Sequence, residues 1–244
     1  MKTNNIIKNL KEFFYKLTPP FYIIALMLGV LSMLAIIFSP IVERKTNEYF
    51  VKIDNTTLKL HELSQTLEDV KAKNKQQQDI VQTVLALKAS NAKRLTSAER
   101  FELAGIIVKQ ARMRNIDPIL VVAQIQVESN FRNHALSNKG AKGLMQLLPD
   151  TAKYIQKKTN VHVNDINNLY DPETNIALGT AYMHYLLKKT NGNMEYALIA
   201  YNMGPSNMYR AIKKNKLPQS YSNKVLSVYN SLLLKINNTN VAQN

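Results

Sequence analysis

Nine acidic side chains lie between Leu95 and Asn244, and four of them have evident structural duties. Asp117 and Asp171 each precede a proline as helix N-caps, and Glu99 and Glu102 sit in a first helical turn, where negative charge suits the helix dipole. Glu128 has no such duty. Stepping back by three and by seven gives Ile125 and Val121, so its side chain shares a helix face with β-branched apolar residues. A carboxylate there loses hydration, and its pKa is expected to rise until it can hold and donate a proton near neutral pH. A general acid acting on a glycosidic oxygen needs that property. The same pattern also fits a glutamate that turns from the last helical turn into solvent. Other chemistries have less support. The chain has no cysteine, which excludes disulfides, thiolate metal sites and a cysteine nucleophile. His134, His162 and His184 lack ligand spacing such as H-E-x-x-H, so a zinc site is not expected.

The elements that must position Glu128 are helical. Glycine and proline are sparse and no alternating β-branched run occurs. Thr96 and Glu99 form a capping-box pattern ahead of a helix predicted to bury Phe101, Ala104, Ile107, Val108 and Ala111. Asp117-Pro118 opens a helix to Ser129, and Asp171-Pro172 opens another to Lys188. Gly192 and Gly204-Pro205 bracket a third. Short helices with irregular connections predict an all-α domain over residues 96–235, followed by a disordered tail at 236–244.

Four ordered motifs sharpen this reading. Glu128-Ser129 is followed by Asn130-Phe131. Gly140 to Pro149 reads G-x-x-G-L-M-Q-x-x-P, Asp171 to Gly179 reads D-P-x-x-N-I-x-x-G, and Ala200-Tyr201-Asn202 precedes Gly204-Pro205. Tyr221 then precedes Lys224-Val225-Leu226. In order and at domain-scale spacing, these segments resemble the lytic transglycosylase domain of glycoside hydrolase family 23, of the soluble type with a goose-type lysozyme-like fold. The resemblance implies that Glu128 is the catalytic acid and that Ser129, Gly143, Met145, Gln146, Tyr201, Asn202 and Tyr221 serve the substrate. Their chemistry suits that role. Gly143 would let the backbone approach a sugar, and Met145 would offer a soft apolar contact. Gln146 and Asn202 both donate and accept, and the tyrosines join an apolar face to a hydroxyl. It further implies a substrate-assisted cleavage of the bond between N-acetylmuramic acid and N-acetylglucosamine in peptidoglycan, closing a 1,6-anhydro ring without water and with no metal or cofactor. A hydrolytic muramidase and a catalytically silent peptidoglycan-binding component of an envelope machine are the alternatives.

The rest of the chain concerns place. With 32 Lys+Arg against 17 Asp+Glu the formal charge is +15, dispersed with no block of five like charges, which speaks for an anionic polymer or membrane surface and against a nucleic-acid-binding arm. No charge occurs between Lys16 and Glu43, and Phe21 to Phe38 is nearly all apolar, long enough to cross a hydrocarbon core of ~30 Å. Residues 1–16 are therefore expected to be a cytoplasmic tail and 17–42 a transmembrane anchor. Lacking an A-x-A-like site near Pro40, the anchor is expected to be retained. Lysines and arginines balance on its two sides, so orientation rests on the C-terminal domain, which must lie outside the inner membrane to meet peptidoglycan. In the helical spacer at 43–95, Leu60, Leu63, Leu67, Val70, Val81 and Val84 alternate at three and four, with Asn74 at an a position. This seam predicts a parallel homodimer, although a solvated single helix fits it equally well.

Overall fold

The computed structural model describes residues 2–16, 19–159 and 161–241. It is all-α, as the sequence predicts. The order is α1 (Lys2–Lys16), α2 (Pro19–Ala89), α3 (Ser97–Arg112), α4 (Pro118–Ser129), α5 (Pro149–Thr159), α6 (Pro172–Lys189), α7 (Met194–Met203), α8 (Pro205–Lys213) and α9 (Ser220–Val241). Two compact units result, Met1–Val70 and Lys71–Asn244.

In the first unit, α2 carries a stretch long and apolar enough to cross a membrane. Its side chains from Phe21 to Val42 are exposed, as a lipid-facing helix requires. Leu17 and Thr18, where the anchor is predicted to begin, lie outside the described residues. Pro40 does not end the helix. It lacks one backbone donor, so a carbonyl one turn earlier loses its intrahelical partner there. Leu60, Leu63, Leu67 and Val70 are all exposed, at 47–66%.

The second unit holds the core. α4 is its central element. All seven residues from Ile119 to Ile125 are buried, because a helix apolar around most of its circumference is stable only when surrounded. It packs chiefly on α9 and α3, while α6 packs on α3, α5 and α7. The caps read from sequence are present. Thr96 and Glu99 close a capping box, and the Asp117 and Asp171 carboxylates accept from the backbone N–H groups of Ile119 and Thr174.

Three boundaries or faces differ from the sequence reading. Phe101 is 63% exposed, and Leu103 takes the buried place on α3 instead. The stretch assigned to the spacer is built into the domain from about Ile80: Thr83, Ala86, Leu87 and Ala92 are fully or almost fully buried, Val84 packs on the core, and Asp79 pairs with Arg112 at 2.6 Å. Of the two seam residues there, Val84 turns into the domain's own core, whereas Val81 stays 52% exposed. Finally, α9 runs to Val241 with Ile236 buried, so residues 236–241 are helical where a disordered tail was predicted. Residues 242–244 lie outside the described residues.

Candidate active site

Glu128 stands in the last turn of α4. Asn130 and Phe131 follow it with left-handed φ values of 50° and 59°, which stop the helix at Ser129. The turn is anchored by Phe131, which is 4% exposed. Burying that ring offsets a backbone conformation that costs a non-glycine residue of order 1 kcal/mol or more.

The carboxyl faces α9. The Tyr221 hydroxyl donates to Glu128 Oε1 at 2.5 Å. Burial pushes the Glu128 pKa up to about 7, against the opposing effects of the Tyr221 hydrogen bond and the Lys224 charge. This is the desolvation expected from Val121 and Ile125, which are 1% and 0% exposed. Tyr221 is itself held well above its ordinary pKa, first by burial and then by the neighbouring Glu128 charge, so it stays a donor.

A groove of about 520 Å³ opens at Glu128, lined by residues of the Ser137–Leu148 turn, α5, α6, α7 and α8. Glu128 is the one carboxylate among its lining residues. Gln146, Tyr201 and Asn202 line it too. The Tyr201 hydroxyl donates to the Met145 carbonyl at 2.9 Å, and its ring lies 5.1 Å from that of Tyr182, a further lining residue. Gln146 has a φ of 49°, and its Nε2 donates to the carbonyls of Gly143 at 2.9 Å and Ala135 at 3.2 Å. It shapes the turn while presenting to the groove.

Three residues predicted to meet the substrate do other work. The Ser129 side chain is buried, and its hydroxyl donates back to the Ile125 carbonyl at 3.1 Å, the habit of a serine in a last helical turn. Gly143 is needed for packing. At φ 78°, a Cβ there would lie 2.2 Å from the Leu169 carbonyl oxygen and 2.3 Å from Asn175 Nδ2. Met145 is fully buried against Gly179, where a Cβ would meet its sulfur at 2.4 Å. Its contribution is its backbone, whose N–H donates to Asn175 Oδ1 at 2.7 Å. Asn175 also donates through Nδ2 to the carbonyls of Lys142 at 2.9 Å and Leu169 at 2.8 Å. It is the clip that holds the turn onto α6.

Sequence reasoning missed Tyr182, Thr151 and Asn207, all groove-lining. It also missed Gln124, one helical turn before Glu128. Gln124 is wholly buried, and its amide lies near enough to Tyr221 to temper the rise in that pKa without either amide atom closing a hydrogen bond. Spacing from Glu128 was the available signal for Gln124. Tyr182 sits three residues after Gly179, the end of a motif already recognised.

Comparison with known proteins agrees with the motifs. Residues 105–223 match the model of the transglycosylase SLT domain. The soluble lytic murein transglycosylase of Salmonella typhimurium is 34% identical over 110 residues, which cover 44% of this chain and 17% of that protein. The membrane-bound lytic murein transglycosylase C of Photorhabdus laumondii is 36% identical over 120 residues, 45% of this chain and 34% of its own. The crystal structure of the 70 kDa soluble lytic transglycosylase of Escherichia coli aligns at 26% identity with a TM-score of 0.44, over 54% of this chain and 23% of that one. The chain thus corresponds to about a third or less of the length of these relatives. Glu128, Tyr201 and Tyr221 all fall inside the span that resembles the transglycosylase SLT domain.

Proposed function

We propose that the protein is a membrane-anchored lytic murein transglycosylase in which Glu128 acts first as acid and then as base. The observation that carries this reading is a single carboxylate in the groove, desolvated to a pKa of about 7 and held by one tyrosine. An ordinary glycosidase needs a second carboxylate as nucleophile or as base for water. Asp165 accepts from the Asn167 backbone N–H in a local turn and does not line the groove.

The chemistry balances with one group. Glu128 gives its proton to the oxygen joining N-acetylmuramic acid to N-acetylglucosamine, and the C1–O bond breaks as the N-acetylglucosamine hydroxyl leaves. The muramic acetamido group of the substrate supports the positive charge at C1. The muramic 6-hydroxyl then adds to C1, and its proton returns to Glu128. The product is a 1,6-anhydro end, and the enzyme is restored. A pKa near 7 suits both halves, since neither donation nor recapture is strongly uphill at neutral pH. Tyr221 stabilises the carboxylate left after the first step and keeps the group in one orientation. Tyr201, Tyr182, Gln146 and Asn202 line the place where the sugar rings would lie.

The anchor reading assigns residues 17–42 to the inner membrane, with the N-terminus cytoplasmic and the domain on the peptidoglycan side. Support comes from the apolar α2 segment and from a membrane-bound relative. The exposed Leu60, Leu63, Leu67 and Val70 would pair two such chains. Digestion of purified peptidoglycan, followed by mass spectrometry of the released muropeptides, tests the reaction. Anhydro-muramic ends are expected, and reducing ends at the same positions would make the enzyme a muramidase.

A further inference from the structure

The groove does not end at its lining residues. On α5, Thr151 lines it, and one turn further on stands Tyr154. On α6, Tyr182 lines it, and one turn on stands Tyr185. On α8, Asn207 lines it, and Tyr209 follows two residues later. Residues three apart on a helix are surface neighbours, so the tyrosines of α5 and α6 continue the groove wall outward.

The three tyrosines form one cluster. The Tyr154 and Tyr185 hydroxyls are 3.0 Å apart, and their rings meet edge to face at 5.9 Å. The Tyr209 hydroxyl donates to the Lys189 carbonyl at 2.8 Å, and Lys189 Nζ lies 5.8 Å from the centre of the Tyr185 ring. Tyr185 is raised to about 12, first by its hydrogen bond with Tyr154, with Tyr209 adding to the shift. The cluster is open, with Tyr154 46% and Tyr209 43% exposed. Pinned hydroxyls fix the rings, and Tyr154 and Tyr209 keep much of their surface open while Lys189 lies over Tyr185. Rings held rigid with open apolar surface and a polar edge suit a ligand that is itself apolar on one face and hydroxylated at its rim, which describes a pyranose.

We infer that Tyr154, Tyr185 and Tyr209 form a distal saccharide subsite, which receives the glycan strand as it leaves the groove and so favours long strands over short ones. The occupant follows from continuity, because the shelf begins one helical turn from groove-lining residues on two helices. This inference rests on the reading of the groove as a glycan site.

Binding should be measured on the full-length protein in detergent micelles carrying E128Q, so that turnover does not intrude. The two ligands are long uncross-linked peptidoglycan strands and a muropeptide tetrasaccharide. Y209A and the double variant Y154A/Y209A are expected to raise the Kd for long strands at least fivefold and to leave that for the tetrasaccharide within twofold. Y154F and Y209F, which keep the rings, are expected to bind long strands within twofold of the parent. Unchanged Kd for long strands in Y154A/Y209A overturns the inference, as does an equal loss on both ligands, which would mark the cluster as a staple between helices. Activity of the E128Q parent reports separately on the catalytic reading, since the comparison of lengths needs no turnover.

Discussion

At the scale of single residues, the arrangement around Glu128 sets activity and stability against each other. The folded protein raises this carboxyl from 4.5 to about 7. Such a group costs nothing below its unfolded pKa, where it is protonated in both states. The cost grows as pH rises from the unfolded value towards the folded one and is complete above it, at about 3 kcal/mol for a shift of this size. E128Q is therefore expected to reduce turnover at least ~10²-fold, and to unfold at a higher temperature than the parent at pH 8 but not at pH 4; calorimetry at the two pH values checks this. In the parent, turnover should fall as pH rises through about 7, when the acid is lost. Y221F removes the bond that favours the carboxylate, so the alkaline limb of its pH–rate profile should move upward. Gln124 presents a buried amide without a closed hydrogen bond. Q124M, close in volume, should keep or raise the unfolding midpoint, because an unmet buried polar group costs ~1–3 kcal/mol. The register of Glu128 with Val121 and Ile125 is compatible with its burial but fits a solvent-facing side chain as well, and the ordered motifs around it decide between the two. Its hydrogen bond to Tyr221 spans 93 positions, and no local pattern carries a contact of that range.

At the scale of elements, the segment from Gly140 to Pro149 was recognised as a motif but its working was misread. Its glycine and methionine looked like groups offered to a sugar, since both residue types serve that purpose elsewhere. They are instead the price of fitting a tight turn against α6. The reason could not be read locally: Asn175 lies 30 residues beyond Met145 and fastens the turn from another helix. N175A should leave the Met145 N–H and the Leu169 carbonyl without this partner in a buried place, while the Lys142 carbonyl keeps the Leu147 N–H. A loss of about 2–4 kcal/mol is expected, measurable by denaturant unfolding, with turnover falling as the turn loosens. The helix starts were read well because proline after aspartate acts within two residues. The face of α3 was read less well, since Phe101 and Leu103 are both apolar and only the neighbouring helices decide between them.

At the scale of the whole molecule, placement rests on the uncharged stretch that ends before Glu43. Protease added to spheroplasts, with any outer membrane opened, should remove the C-terminal domain; complete protection would reverse the topology. A cysteine placed at Leu67 should cross-link between chains in membranes more than one at Lys71 if the seam pairs, and equally if the helix stands alone. The end of α2 has a different kind of consequence. Leu87, Ala86 and Thr83 are buried in the core of the second unit, and Asp79 pairs with Arg112. The domain therefore cannot be lifted out at the capping box of Thr96 and grafted onto another carrier intact. A chimera joined at residue 96 would expose a slot shaped for a helix it no longer owns, ready to accept that helix from a neighbouring copy, whereas one joined near Lys71 would bring its own.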